Sequence, residues 1–209
     1  MCMCRRRRGC HHPAPGSLPK CEYPPMRGTH EISAYPMRRC IGCQGEVPDV
    51  PGPVHPYMRA SPGCWQWYGE LTADWLGAVS SPELRLLHVD CFAVQHPAGA
   101  EYDRRQRQSV AVHLTALCLF HEYGITAEQV HHYRNRTSRT VLPRLGLSDW
   151  PHLGQPPSLG AVTVAELHHG WHEGETGPAM AWPEESWQAW SLHHSTVRSW
   201  AQALLEGTK

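Results

Sequence analysis

The chain has 209 residues, of which 41% are hydrophobic and 18% are charged, so it can bury a core of its own. Its 19 basic and 19 acidic residues balance, which argues against a dedicated nucleic-acid binder, and no stretch approaches the roughly eighteen apolar residues that a membrane helix requires. The 16 histidines and 9 cysteines make metal binding the first hypothesis, and the odd number of cysteines excludes a fully paired disulfide framework within one chain.

The N-terminal segment 1–37 is rich in cysteine and proline, contains the basic run Arg5–Arg8 and shows no apolar periodicity. We predict a disordered tail here, followed by a single helical domain over 38–209. The alternatives are a basic arm for nucleic acid or a metal-binding tract, which would use Cys2, Cys4, Cys10, His11 and His12. Because no apolar segment follows the basic run, we identify no secretory signal and expect a cytoplasmic protein with reduced thiols.

Helical patterns fill most of the chain after this tail. Ser61 opens the first predicted helix, over 62–78, and Ser81 opens a second one that ends before Pro97. Further helices are predicted within 103–124, after the cap residue Thr126, at the capping box of Thr163 and Glu166, and over 183–206. The predicted fold is mainly α: a bundle of about four main helices, with a Cys-containing, zinc-knuckle-like loop region at its N-terminal side.

The strongest local motif is Cys40-Ile41-Gly42-Cys43. Glycine lets the backbone turn so that its amides point at the sulfurs, and two thiolates at this spacing chelate one tetrahedral ion. A structural zinc site needs two more ligands, for which the candidates are His55 and Cys64, followed by Cys91 and His96. Two alternatives stay open, unligated thiols in a turn and a redox-active CxxC, although the residues that follow lack the helical pattern of a thioredoxin-like motif.

Cys64 is the third residue of the first predicted helix, where the unpaired amides and the helix dipole favour a thiolate. Such a thiolate is either a metal ligand or a nucleophile, and in the second case His55 or His96 would serve as its base. The third interpretation of Cys64 is a small, buried apolar residue without a chemical role.

Three histidines, His88, His113 and His194, lie on helix faces that the pattern directs inward. A single histidine on an apolar face is usually a hydrogen-bonded core residue. Three such rings from three helices could instead share a metal ion in the interior of a bundle, which is where helical metalloproteins gather their ligands. Asp90 or Gln95 would then orient these ligands through hydrogen bonds.

Five segments carry a resemblance to a known family: CIGCQG, HPYMRASPGCWQWYGEL, HVDCFAVQHPAG, QSVAVHLTALCL and SWQAWSLHHSTVRSW. Together they resemble an uncharacterised bacterial family that is known only as a domain of unknown function, over roughly residues 40–200, and SPGCW followed by VDxxAVQHP is the specific part. The resemblance implies a soluble, mostly helical bacterial protein and no established activity. The matching candidate positions are Cys40, Cys43, His55, Cys64, His88, Asp90, His96, His113 and His194. Cys91 stands where the family motif has a small residue, which weakens it as a ligand.

Three functions fit these residues. The first is a metal-binding helical protein, with zinc as the expected ion and iron as the alternative, in which an open coordination position would allow chemistry on a small molecule. The second is a non-catalytic interaction or regulatory module, in which a zinc knuckle only holds the chain together and aromatic faces dock a partner protein. The third is a metal-free thiol enzyme that uses Cys64. The sequence leaves open whether the protein is an enzyme, and we expect no nucleic-acid or membrane partner.

Overall fold

The computed structural model describes residues 35–75 and 81–207. All but the last three residues of the predicted tail therefore lie outside the described range, and so do the cysteines and histidines near the N-terminus. Within the described residues the protein is mainly helical, which confirms the predicted α class. No helix in these two ranges is long and apolar enough to cross a membrane.

A short β-hairpin is the first described element. Strand β1 (Met37–Arg39) pairs antiparallel with strand β2 (Glu46–Pro48), and the register places Arg38 opposite Val47. The residues of β1 are exposed, whereas Val47 in β2 is completely buried. The hairpin is therefore attached to the rest of the protein through β2, and its turn carries the CxxC motif.

Eight α-helices follow among the described residues, where the sequence predicts about four main ones. In chain order they are α1 (Pro62–Glu70), α2 (Pro82–Val94), α3 (Arg104–Tyr123), α4 (Ala127–Arg134), α5 (Thr137–Arg144), α6 (Val164–Glu173), α7 (Gly177–Gln188) and α8 (His194–Glu206). A π-helical turn, Leu71–Trp75, continues α1, and a 3-10 turn, Ser191–His193, precedes α8. The number is higher than predicted because many of these helices are short.

Helices α2 and α3 form the centre of the bundle and pack against each other. Helix α3 is 20 residues long, and the side chain of Asp103 caps its start by accepting the backbone N–H of Arg105 at 2.8 Å. Helices α4 and α8 pack on α3, and α7 packs on α2. The buried face of α3 is apolar, as the sequence pattern predicts, and includes Val110, Leu114, Leu117 and Cys118.

The predicted single helix over 183–206 is wrong, because the chain turns between α7 and α8. Residues seven apart in a straight helix lie on one face but about 10.5 Å apart along the axis. Trp187 and His194 instead stack face to face, with ring centroids 3.7 Å apart and planes at 5°. The turn at the 3-10 segment brings these two rings together and allows tryptophans on both sides of the turn to reach the core.

Aromatic rings and one amide fill the core behind α2. Five tryptophans are fully buried: Trp150, Trp182, Trp187, Trp190 and Trp200. The amide of Gln95 is also fully buried and satisfies three neighbours at once. Its Nε2 donates to the carbonyls of Leu159 (2.8 Å) and Val162 (2.7 Å), and its Oε1 accepts the indole N–H of Trp182 at 2.9 Å. Gln95 therefore joins α2 to α7 and to the loop before α6.

Replacement of Gln95 by methionine keeps the volume but leaves these three polar groups buried without a partner. We expect Gln95→Met to lower the free energy of unfolding by about 3 kcal/mol, because each unsatisfied buried group costs about 1 kcal/mol or more. The measurement is urea denaturation followed by tryptophan fluorescence. Gln155→Met, at an exposed loop position, is the control and should stay within about 0.5 kcal/mol of wild type. Equal effects of the two substitutions would contradict the role assigned to Gln95.

Candidate metal centre

The CxxC motif forms the turn of the hairpin. Cys40 directly follows β1, and its backbone N–H donates to the carbonyl of Gly45 at 2.9 Å, while Gln44 N–H donates back to the Cys40 carbonyl at 3.2 Å. Gln44 takes the left-handed conformation, with φ 66°, that closes the turn. This folding brings both thiols of the motif to the inner side of the hairpin, where Cys40 is completely buried and Cys43 is 4% exposed.

Backbone amides surround the sulfur of Cys40. Gly42 N–H donates to this sulfur at 3.4 Å and Ser61 N–H does so at 3.3 Å. The side chain of Ser61 makes no hydrogen bond to the helix that it precedes; its hydroxyl accepts the N–H of Ile41 at 3.0 Å instead. The residue that the sequence predicts as a helix cap therefore ties the start of α1 to the turn of the hairpin.

Cys64 lies in the first turn of α1, as predicted, and faces this turn. Pro62 occupies the first helical position, and Gly63 allows the helix to approach β2 closely. A Cβ atom on Gly63 would lie 2.0 Å from the carbonyl oxygen of Pro48, so only glycine fits there. The Sγ atom of Cys64 lies 3.8 Å from that of Cys43, and Cys64 is completely buried.

His96 completes the group from the residue pair that follows α2. Its Nδ1–H donates to the carbonyl of Phe92 at 2.6 Å, and its own carbonyl accepts the side-chain amide of Gln106. The hydrogen bond from Nδ1 sets the ring orientation and leaves Nε2 for the cluster. This Nε2 lies 3.3 Å from the sulfur of Cys64. Gly42 permits the approach, since a Cβ there would lie 2.3 Å from the His96 ring.

The four side chains lie close enough together to hold one metal ion. Their ligand atoms, three Sγ and one nitrogen, all lie within 4.8 Å of one another, and the thiols are free. Zinc–sulfur bonds of about 2.3 Å in a tetrahedron place two sulfurs about 3.8 Å apart. The distance between Cys43 and Cys64 has this value, which is much longer than a disulfide bond. No other such group of histidine, cysteine or carboxylate side chains occurs within 35–75 and 81–207.

The electrostatics of the cluster favour a cation. Hydrogen bonds from Cys43 and Cys64 hold the pKa of the Cys40 thiol well below its usual value, while hydrogen bonds to Cys40 and Cys43, together with burial, raise the pKa of Cys64. Burial alone would lower the pKa of His96. The charge of Cys43 and the hydrogen bonds to Cys40 and Cys43 outweigh burial and raise this pKa to about 10. The ligand-free cluster therefore favours a Cys40 thiolate beside a protonated His96 imidazole, and a bound metal ion would take the place of the protons that these groups share.

Two sequence candidates for this site lie elsewhere. Nδ1 of His55 accepts the backbone N–H of Met58 at 3.1 Å and belongs to the loop between β2 and α1. Cys91 is completely buried in α2, and burial raises the pKa of its thiol well above the usual value. His96, which the sequence offers as a base for Cys64 and as a later ligand candidate, lies with the three cysteines instead.

The three inward-facing histidines also do not come together. His88 shares a hydrogen bond with a tyrosine hydroxyl at 2.7 Å, and His194 donates to a backbone carbonyl at 3.0 Å. His113 lies 2.7 Å from the buried carboxylate of Asp90. Among the described residues these rings form no shared ligand group, so each is stabilised by a different protein partner.

Comparison with protein families tests the family resemblance that the sequence motifs suggest. The family model described as "Family of unknown function (DUF5946)" matches residues 38–191, which are 154 of the 209 residues. The chain belongs to DUF5946. The match confirms the resemblance to an uncharacterised family and includes all four cluster residues, but it brings no activity. Neither the curated proteins nor the solved structures give a match.

In this DUF5946 chain, α1 approaches the hairpin closely at Gly63 and has open space at Gly69. Replacing glycine by alanine at these two positions should therefore have opposite effects on stability. Gly63→Ala must displace the backbone of β2, and we expect it to lower the free energy of unfolding by about 2 kcal/mol or more. Gly69→Ala meets open space and should raise it by about 0.5–1 kcal/mol, because alanine favours helix. Urea denaturation of both variants is the measurement. A neutral Gly63→Ala would contradict the packing described here.

Proposed function

We propose that the protein binds one zinc ion through Cys40, Cys43, Cys64 and His96 and that this ion is structural. The observation that carries the proposal is the meeting of four buried ligand atoms, within 4.8 Å of one another, from the hairpin turn, the start of α1 and the end of α2. Three thiolates and one imidazole in a tetrahedral arrangement suit zinc, whereas calcium and magnesium require oxygen ligands. Iron is the second candidate, because thiolates bind it as well.

A structural role follows from the closed ligand set. A catalytic zinc ion keeps one coordination position for water or substrate, whereas a structural one is held by four protein ligands. Here all four positions would be taken by side chains, of which Cys43 is the most exposed, at 4%. The same burial argues against Cys64 as the nucleophile of a thiol enzyme, since no substrate could reach its sulfur.

The ion would connect the hairpin, which is only weakly stable by itself, to the more stable helices. A hairpin of two three-residue strands does not hold its fold alone in water. Coordination would tie its turn to α1 and to α2, which belongs to the centre of the bundle. The protein is then a zinc-stabilised helical module, in agreement with the non-catalytic alternative derived from the sequence.

Metal content tests the assignment of the ligands. We expect about one zinc per chain in the wild type by elemental analysis. Cys40→Ser and His96→Ala should each lose most of it, because three remaining ligands leave the tetrahedron open. The full-length protein should be purified without chelator, and its visible spectrum recorded, since an iron–thiolate centre is coloured and zinc is not.

Three variants serve as controls for that experiment. Cys91→Ala removes a buried cysteine outside the cluster, and His113→Ala and His194→Ala remove two of the inward-facing histidines. All three should keep the zinc of the wild type. Loss of metal in His113→Ala with retention in Cys40→Ser would overturn the proposal and move the ion into the bundle. Absence of metal from every preparation would also overturn it.

Removal of zinc should destabilise the protein strongly. A ligand present at a thousand times its Kd contributes about 4 kcal/mol to stability, so we expect at least this loss after chelation. The measurement is thermal unfolding of the wild type with zinc, with a strong chelator, and with zinc restored. Cys40→Ser should show the low melting temperature in all three conditions. A wild type whose melting temperature does not respond to chelator, although it contains zinc, would contradict a structural role.

A further inference from the structure

A cleft with a volume of about 620 Å³ opens on the side of the bundle formed by α3, α4 and α5. This volume lies in the range of clefts that bind small molecules, about 300–1,000 Å³. The cleft shares no lining residue with the cluster of Cys40, Cys43, Cys64 and His96. Tyr57, from the loop between β2 and α1, adds an aromatic residue to its lining.

One face of α3 forms the floor of the cleft. Its lining residues recur at three- and four-residue intervals, the spacing of a single helical stripe. They are Arg105, Gln108, Ser109, Val112 and His113. The facing wall comes from the end of α4 and the start of α5, where Arg134 and Arg139 lie. The lining is therefore polar on both sides, with Val112 and Tyr57 as its apolar contacts.

The charge of this lining is positive. Arg105, Arg134 and Arg139 all line the cleft, and no carboxylate does. Arg134 is paired, since its Nη2 lies 2.8 Å from Oδ2 of Asp90 beneath the cleft. Arg105 and Arg139 form no ion pair with a residue of the described ranges. Arg139 donates from Nη2 to the carbonyl of Asn135 at 3.1 Å, so its other N–H groups and those of Arg105 remain for an anion. Guanidinium is the group that matches phosphate and carboxylate geometry.

Two buried polar atoms at the cleft have no protein partner. Ser109 is 6% exposed, and its hydroxyl makes no hydrogen bond to a described residue. The Nε of Arg134 is buried and unpaired as well, although its Nη2 contacts Asp90. Groups of this kind are rare in folded proteins, and an unfilled hydrogen-bonding site is one of the usual reasons for them. Both belong to residues that line the same cleft.

A buried carboxylate fixes the remaining polar group, His113. Asp90 is completely buried, and its Oδ1 lies 2.7 Å from Nδ1 of His113. With Nδ1 occupied, Nε2 is the ring nitrogen left for a molecule in the cleft. Asp90 therefore holds two residues of the cleft lining, His113 and Arg134, through its two carboxylate oxygens.

We propose that this cleft is the binding site for a small organic anion that carries a phosphate or carboxylate group. Arg105 and Arg139 bind the anionic group, and the hydroxyl of Ser109 and Nε2 of His113 hydrogen-bond to the ligand. The apolar part of the ligand lies against Tyr57 and Val112. Asp90 acts as a positioning residue, since it touches His113 and not the ligand. No side chain belongs to both this site and the proposed zinc site.

Calorimetry of the zinc-replete, full-length protein tests this site with three probes of similar shape. Phenyl phosphate and benzoate carry the two anionic groups on one ring, and phenol is the neutral comparator. We expect at least one of the anions to bind and phenol not to bind detectably. Preference for phenyl phosphate identifies a phosphate ligand, and preference for benzoate identifies a carboxylate ligand. Absence of binding by both anions, or equal binding of phenol, would overturn the proposal.

Arginine variants locate the bound anion. Arg105→Gln and Arg139→Gln should each weaken binding about tenfold, which is the usual effect of losing one hydrogen bond to a charged group. Arg136→Gln is the matched control, because Arg136 is exposed in the same segment and carries the same charge but does not line the cleft. All three should keep their zinc. An equal loss in Arg136→Gln would mean that only the net charge matters and would overturn the assignment of the cleft.

Ser109→Ala separates binding from stability. Without ligand, this substitution removes a buried group that lacks a partner, so the melting temperature should stay unchanged or rise. Binding of the anion should nevertheless weaken at least threefold, because the ligand loses a hydrogen-bond donor. A folded Ser109→Ala variant with wild-type affinity would remove Ser109 from the site, and together with wild-type affinity in Arg139→Gln it would overturn the proposal.

Discussion

Three thiols and one imidazole meet in the interior of this protein, and the way in which the hairpin packs on α1 and α2 depends on that contact. The sulfurs and the histidine nitrogen lie within 4.8 Å of one another and out of contact with water. Polar, ionisable groups brought this close are stable only when a cation or shared protons compensate their charge. The surrounding residues serve the contact: Ser61 bonds the hairpin turn, and Gly63 lets α1 approach β2.

The cluster also bears on the cleft, although no side chain belongs to both. Tyr57 lies in the loop that joins Cys43 to Cys64, so both ends of this loop are held at the cluster. Helix α2 makes a second link, because it carries Asp90 near its end and leads directly to His96. Asp90 and His96 are six residues apart in the chain, so one short segment contacts the lining of the cleft and supplies one member of the cysteine–histidine cluster.

Buried polar groups give the core its specificity. Asp90 is completely buried and depends on both His113 and Arg134, since an unpaired carboxylate in this place would be strongly unfavourable. Gln95 has a similar role with an uncharged side chain, since its amide oxygen and nitrogen both form hydrogen bonds in the core. Asp90 lies on α2 and Gln95 directly follows it, and each reaches different neighbours. Together they determine how the surrounding helices pack, which apolar contacts alone would specify less tightly.

The sequence by itself determined the helical class, the CxxC turn and the start of α1, because cysteine spacing, caps and apolar periodicity are local properties. Cys40, Cys43 and Cys64 were all within reach of that reasoning. The place of His96 in the cluster was not, since the choice between His55, Cys91 and His96 depends on how α2 lies against the hairpin. The break between α7 and α8, the separation of His88, His113 and His194, and the pairing of His113 with Asp90 were likewise decided only in the tertiary structure. A helical pattern tells which face of a helix is buried, but packing between helices decides which side chains that face meets.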